Sequence, residues 1–473
     1  MGASADSAVP RAARWAPDAN DPGLLTPAQT SLLTDQYELA MASSYLGRGM
    51  NEPAVFELFV RHLPARRRWL LAAGVGPALA LVREMQFGAL ELAYLASLGF
   101  GGAFLEYLAR YRFTGDIDAM PEGTIVFARE PLVRVTAPRV EAQLLETLLL
   151  NQINFQTMVA TKAARIALAA GSGQPAGERL VDFSPRRDHG TDAAMKAARA
   201  AAIAGSSGTS NLAAAMRYGL TPVGTMAHSY VMSFEREQDS FAAFMEDFPG
   251  NAVMLVDTYD TVEGVRRAIA AARITGVSLA GVRLDSGDLL ELSKQARALL
   301  DGAGMTAARI VASGDLEENQ IARLTAAGAP IDSFGVGTDL GTSRDSPVVN
   351  GIYKLVAHRV GGDWQDVRKR SPEKATVPGA KQVFREYAGE MHGDVIGRSE
   401  EQLPGRPLLV PFVRNGRLVR EETIAQMSER ARAELRALPD SLGELDAEGE
   451  IYPVTYSERC RAALEEVDAR AGR

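Results

Sequence analysis

Along the chain, apolar residues recur first at helical spacing, then in short runs, and then in a regular alternation of the two. From Thr26 a helical pattern begins, and in the stretch opened by Asp35, Gln36 and Tyr37 the residues Leu39, Ala42 and Leu46 share one face. Residues 55–60 (VFELFV) read as a strand and residues 77–85 and 90–98 as helices. Residues 123–128 and 132–136 predict two strands split by Glu130-Pro131, and 141–170 one long helix. The middle third changes character. Short β-rich runs at 253–256, 280–284, 309–312 and 333–336 alternate with amphipathic helices, each starting about one βα unit after the last. Each ends in a polar or glycine-bearing loop: DTYDT, DSGD, SGD and GVGTD. That layout predicts a parallel β/α barrel, whose chemistry collects where strands end; a doubly wound sheet would give a similar string. Beyond about Asn350 short strands return (352–356, 408–413), followed by a charged helix at 421–438.

A length of 473 residues leaves room for two or three domains. The tail to about Leu25, small, polar and proline-containing, is expected to be disordered. A net charge of −8 leaves no basic excess for nucleic-acid phosphates, though a local basic pocket for one small anion is compatible with it. The single cysteine, Cys460, excludes an intramolecular disulfide and a zinc site of paired thiolates. The histidines are scattered, with no two at metal-ligand spacing. The first two dozen residues hold no apolar core for a signal peptide. The longest nearly apolar run, 69–82, is shorter than the roughly 20 residues that span a bilayer. A cytoplasmic protein with no membrane partner is the expectation.

Candidate chemistry gathers at the strand ends. Gly335-Val336-Gly337-Thr338 follows an apolar strand and can turn backbone N–H groups toward an anion; Ser313-Gly314-Asp315, one unit earlier, suits the same task. The competing reading is that these glycines only make tight turns. In Arg283-Leu284-Asp285-Ser286-Gly287-Asp288, strand alternation puts Arg283 and Asp285 on one face, aimed into the barrel mouth. A guanidinium there binds a carboxylate bidentately, and a carboxylate accepts from ribose hydroxyls or helps hold Mg2+ beside a phosphate; alternatively the two form a structural pair. Ser184–Gly190 (SPRRDHG) places Arg186 and Arg187 at another strand end, as an anion clamp or a solvated charge run. Small hydroxyl residues around Thr209-Ser210-Asn211 cap a helix or seat an anion. His228, in GTMAHS, is a structural hydrogen-bonder or a catalytic group. No P-loop is present, so any ATP is held otherwise.

Taken together and in order, LLTDQYELAMA, FELFVRHLP, SPRRDHG, GTMAHSYV, GVRLDSGDL, GVGTDL, NGIYKLV and SPEKATVPGAK resemble the nicotinate phosphoribosyltransferase family over most of residues 30–390. The resemblance implies transfer of phosphoribosyl from phosphoribosyl pyrophosphate to nicotinate, coupled to ATP hydrolysis, as an entry step to NAD. It implies an α/β fold: an irregular parallel β/α barrel of the type II phosphoribosyltransferase kind, joined to an α+β sandwich built from chain before and after it. The corresponding segments are a tail (1–25), the first part of the sandwich (26–150), the barrel (151–349), the second part of the sandwich (350–440) and a C-terminal extension (441–473). On this resemblance Tyr37, Thr225, Arg283 and Ser210 face nicotinate, and His228 carries a transient phosphate from ATP. It also implies that Thr338 contacts the phosphoribosyl substrate; the reading of the strand ends adds Arg186, Ser313, Gly314, Gly335 and Gly337 as expected contacts to phosphoribosyl pyrophosphate and Asp285 as an expected catalytic residue and candidate Mg2+ ligand. A homodimer is also implied, with Tyr37 and the basic loop at Lys374 and Lys381 reaching the neighbour's active site; the alternative is that Tyr37 packs in its own domain.

The chemistry agrees. Cleavage at the anomeric carbon leaves positive charge on the ribose and negative charge on pyrophosphate, so the site needs Mg2+ and cationic groups more than a base. The nearest competing activity is that of nicotinamide phosphoribosyltransferase, a similar family that carries an acidic residue where this chain aligns Ser210. Quinolinate phosphoribosyltransferases are shorter and lack the histidine motif. A barrel that binds a phosphosugar without turnover is a different class, and pyrophosphate release separates it from an enzyme.

Overall fold

The computed structural model describes residues 19–21, 23–171, 179–371, 374–445 and 451–470; most of the expected tail lies outside these. Pro53–Val60 (PAVFELFV) is buried along almost its whole length and so takes a central place in a seven-stranded sheet. It pairs antiparallel with Pro131–Pro138 on one side and with Gly351–Val360 on the other. Asp363–Asp366 flanks Gly351–Val360, while Asp116–Ala119, Val410–Arg414 and Arg417–Leu418 extend the opposite edge. Strands from both ends of the chain therefore share one sheet, as the sandwich requires.

A second sheet contains Arg406–Pro407, Lys381–Tyr387, Met391–Arg398 and Val454–Tyr456. Its Val383 and Ile396 enter the same apolar core as Phe56 and Leu58 of the first sheet. Between the sheets, buried Lys381 places Nζ 2.6 Å from Glu57 Oε2. Val454–Tyr456 pairs in parallel with Met391–Arg398, and helix Glu458–Arg470 follows it.

The chain between the two halves of the sandwich forms a curled parallel sheet in the order Gly208–Thr209, Leu180–Asp182, Ser333–Val336, Arg309–Ala312, Gly281–Leu284, Val253–Leu255. Thr209 also bridges in parallel to Pro222, one step further round. Across the remaining gap Asn251 Nδ2 donates to Gly224 O at 2.6 Å. The result is the irregular barrel, and its strand ends carry the polar loops read from the sequence.

Two boundaries differ from expectation for local reasons. The long helix divides into Arg139–Gln143 and Glu146–Ala170, because the turn tightens where Leu145 N donates to Ala142 O. The late charged helix starts at Ile424, where Thr423 and Gln426 form a reciprocal cap. Among the described residues no helix is long and apolar enough to cross a membrane.

Candidate active site

Arg283 is the third residue of Gly281–Leu284, and the pleat turns it inward as expected. Its Nη1 donates to Thr225 Oγ1 at 3.1 Å and its Nη2 to Met226 O at 2.9 Å, while its buried Nε has no partner. Burial lowers the Arg283 pKa and nearby Arg186 acts in the same direction, against the opposing charges of Asp285 and Asp257. Thr225, Arg283 and Arg186 thus share one electrostatic neighbourhood.

Asp285, two residues on, has Oδ1 2.5 Å from the donating Ser313 Oγ. Its Oδ2 is 4.0 Å from His228 Nε2. His228 Nδ1 in turn lies 3.2 Å from Thr258 Oγ1. The Ser313-Gly314-Asp315 turn passes so close that a Cβ on Gly314 would lie 1.9 Å from Asp285 O, and Gly314 itself has φ +89°. Glycine is required there both for space and for backbone.

The Gly335–Thr338 turn ends the neighbouring strand. A Cβ on Gly335 would meet the Phe183 ring at 2.4 Å, so this glycine seats the chain against the residue that leads into the SPRRDHG turn. Thr338 opens helix Thr338–Thr342. Ser210 N donates to Asp182 O at 2.8 Å, which fixes the chain after Gly208–Thr209. Inside the SPRRDHG turn Ser184 Oγ donates to Asp188 Oδ2 at 3.0 Å, and Arg186 is exposed.

Tyr37 takes no part in these contacts. It is 48% exposed on helix Gln36–Gly47, hydrogen-bonded to Glu146 at the start of the long helix. Burial, then the negative charge of Glu146, Glu38 and Asp35, raises its pKa. Lys381 is also withdrawn from the basic loop: it is buried and committed to Glu57, Val377 O and Gly379 O.

Sequence reasoning did not single out Asp257. Its Oδ2 accepts from Asp285 N at 3.0 Å and from Ser286 Oγ at 2.7 Å, and its buried Oδ1 has no partner. The signal was available, since Asp257 opens DTYDT, one of the strand-end loops of the same series.

Comparisons with known proteins bear on this arrangement. A family model described as the nicotinate phosphoribosyltransferase (NAPRTase) N-terminal domain matches residues 32–154, and one described as the NAPRTase family matches residues 179–388. The chain is 47% identical over 435 residues to the nicotinate phosphoribosyltransferase pncB2 of Mycobacterium tuberculosis, covering 91% of this chain and 92% of that protein. It is 45% identical over 392 residues to the nicotinate phosphoribosyltransferase of Bacillus subtilis, covering 81% and 79%. The crystal structure of human nicotinic acid phosphoribosyltransferase superposes with a TM-score of 0.79 at 27% identity, covering 92% of this chain and 99% of that one. With family models matching residues 32–154 and 179–388 and relatives 45–47% identical over most of its length, the chain belongs to the nicotinate phosphoribosyltransferase family.

Proposed function

We propose that this protein is an ATP-dependent nicotinate phosphoribosyltransferase, making nicotinate mononucleotide and pyrophosphate from nicotinate and phosphoribosyl pyrophosphate in the salvage route to NAD. The observation that carries the choice of substrate is Arg283, held across the barrel mouth with its Nε uncommitted. A buried guanidinium lacking a full set of partners favours a carboxylate over a neutral amide.

In the transfer, the bond from the anomeric carbon to pyrophosphate breaks and pyrophosphate keeps the electron pair. The pyridine nitrogen supplies the pair for the new C–N bond, so that nitrogen needs no base. Arg283 and Thr225 orient the ring, with Ser210 alongside. Arg186 and the turns at Ser313-Gly314 and Gly335–Thr338 hold the phosphoribosyl donor, and Asp285 faces its ribose.

Mg2+ prefers oxygen ligands and commonly takes one or two carboxylates, filling its shell with water and substrate phosphates. Asp285 and Asp257, the latter with its unpartnered Oδ1, fit that requirement. Bound there, the ion supplies positive charge for the departing pyrophosphate. Among the described residues no group of three or more His, Cys, Asp or Glu side chains is placed to hold a metal ion, so substrate oxygens would complete the shell.

His228 accepts phosphate from ATP. With Nδ1–H donating to Thr258 Oγ1, the lone pair lies on Nε2, which attacks the γ-phosphorus as the bond to ADP breaks. Hydrolysis of the phosphoimidazole returns the histidine.

The working unit in this reading is a homodimer. Tyr37, exposed on helix Gln36–Gly47, reaches the mouth of the neighbour, along with the loop at Lys374. Residues 26–150 and 350–440 make the sandwich and 151–349 the barrel, and the strand Val454–Tyr456 adds part of 441–473 to the second sheet. The deciding experiment offers nicotinate, nicotinamide and quinolinate to the purified protein, each with phosphoribosyl pyrophosphate, with and without ATP. Pyrophosphate release with nicotinate alone, stimulated by ATP, is the expected result; preference for either other pyridine overturns the assignment.

A further inference from the structure

Lys162 of helix Glu146–Ala170 is 1% exposed and meets three carboxylates. Its Nζ is 2.8 Å from Asp345 Oδ1 and 3.5 Å from Asp339 Oδ1, and it pairs with Glu318 Oε2. These three acids come from two separate strand-end segments. Glu318 opens the helix that follows the Ser313-Gly314-Asp315 turn. Asp339 follows Thr338 directly, and Asp345 lies just past the end of that short helix. The two strands that feed these turns, Arg309–Ala312 and Ser333–Val336, are parallel neighbours, so the turns lie side by side.

Each carboxylate has a second cation. Arg165, one turn further along the long helix, reaches Glu318 Oε1 at 3.1 Å, Arg344 reaches Asp339 Oδ2 at 2.9 Å, and Arg67 holds Asp345 through two contacts of 2.7 and 3.0 Å. Among the described residues Lys162 alone is shared by both segments. Burying so many charges is a poor device for stability by itself, because apolar side chains of similar volume fill such a space without desolvation cost. What an ammonium held by three acids does supply is a fixed separation between the segments that bear them.

We infer that Lys162 is a positioning residue for the phosphoribosyl donor, tying together the two turns that seat it. The inference rests on the reading of those turns as the donor's site. A donor carrying phosphate at both ends of its ribose must meet both turns at once, so their separation sets its affinity, whereas nicotinate depends on Arg283 and Thr225.

The test is steady-state kinetics on Lys162→Met, Lys162→Arg, Asp339→Asn and Thr338→Val, with folding checked by thermal melting. Asp339→Asn weakens one arm of the tie without leaving an anion unpaired, and Lys162→Arg keeps the charge, so the comparison stands even if Lys162→Met does not fold. Expected are at least a 5-fold rise in KM for phosphoribosyl pyrophosphate in Asp339→Asn and Lys162→Met, less in Lys162→Arg, and KM for nicotinate within 2-fold of wild type. Folded Asp339→Asn and Lys162→Arg proteins with unchanged donor KM, or with both KM values raised alike, overturn the inference. Thr338→Val separates the two levels. If it weakens the donor while the Lys162 and Asp339 variants do not, only the positioning role is wrong; if it leaves donor KM unchanged, the reading of the turns fails as well.

Discussion

His228 Nε2 stands 4.0 Å from Asp285 Oδ2, while Ser313 Oγ fixes the other oxygen of the same carboxylate at 2.5 Å. A phosphate placed on that imidazole nitrogen would bring roughly two negative charges next to the carboxylate proposed to face the ribose. ATP coupling therefore has a short physical route to the transfer site.

His228→Asn should keep slow phosphoribosyl transfer but lose stimulation by ATP. Acid-labile label from γ-labelled ATP, present in the wild type, should be absent from the variant. A variant that still takes up label and still responds to ATP removes His228 from this role.

Arg283→Lys keeps the charge and loses the planar fork, together with the bonds to Thr225 and Met226. Nicotinate affinity should drop by about 1.5–3 kcal/mol, with a much smaller change for phosphoribosyl pyrophosphate. Titration calorimetry with each substrate checks this, and equal losses for both would make Arg283 a structural residue or a phosphate contact.

Asp188 gives a pH dependence of stability. Burial raises its pKa from 3.8 to about 6, with Asp182 adding to the rise while Ser184 and His189 oppose it. The folded protein thus holds this proton more tightly than the unfolded chain, and the resulting stability is full below about pH 4 and lost as pH climbs to about 6. Asp188→Asn should melt above the wild type at pH 7.5 and close to it at pH 4. Parallel melting curves across that range would show that the carboxyl is not held in its protonated form.

Tyr37 and Arg283 provide the test of shared sites. Inactive Tyr37→Ala and Arg283→Ala proteins, mixed under conditions of subunit exchange, should regain part of the activity, since each mixed dimer holds one intact site. No recovery despite demonstrated exchange, or an active monomer in sedimentation, rules the arrangement out.

Much of the barrel was legible because its strands are short apolar runs closed by polar loops, and pleat alternation alone placed Arg283 and Asp285 on one inward face; the contact of Arg283 with Thr225 needed the fold. The pairing of Pro53–Val60 with Gly351–Val360 was not, since periodicity marks a strand without naming a partner some three hundred residues away. Asp257 escaped notice because a carboxylate in a polar loop looks like any surface acid until its neighbours are known. Lys162 was hidden for the opposite reason: within a buried run rich in alanine and β-branched residues (157–167), a lysine reads as a break in the apolar face. The division of the long helix at Leu144-Leu145 leaves no mark in an apolar pattern that continues through it.

The pairing of Pro53–Val60 with Gly351–Val360 also has a consequence for how the protein comes into being. On a ribosome the N-terminal strand emerges long before the strand that will flank it, with the entire barrel synthesised in between. Until then one edge of the N-terminal sheet presents unpaired backbone groups, a template for joining other chains. Such distant pairing slows folding, because the loop must close before the contact stabilises anything. Overexpressed nascent chains should therefore be most prone to aggregate while the barrel is complete and the returning strand is still in the exit tunnel.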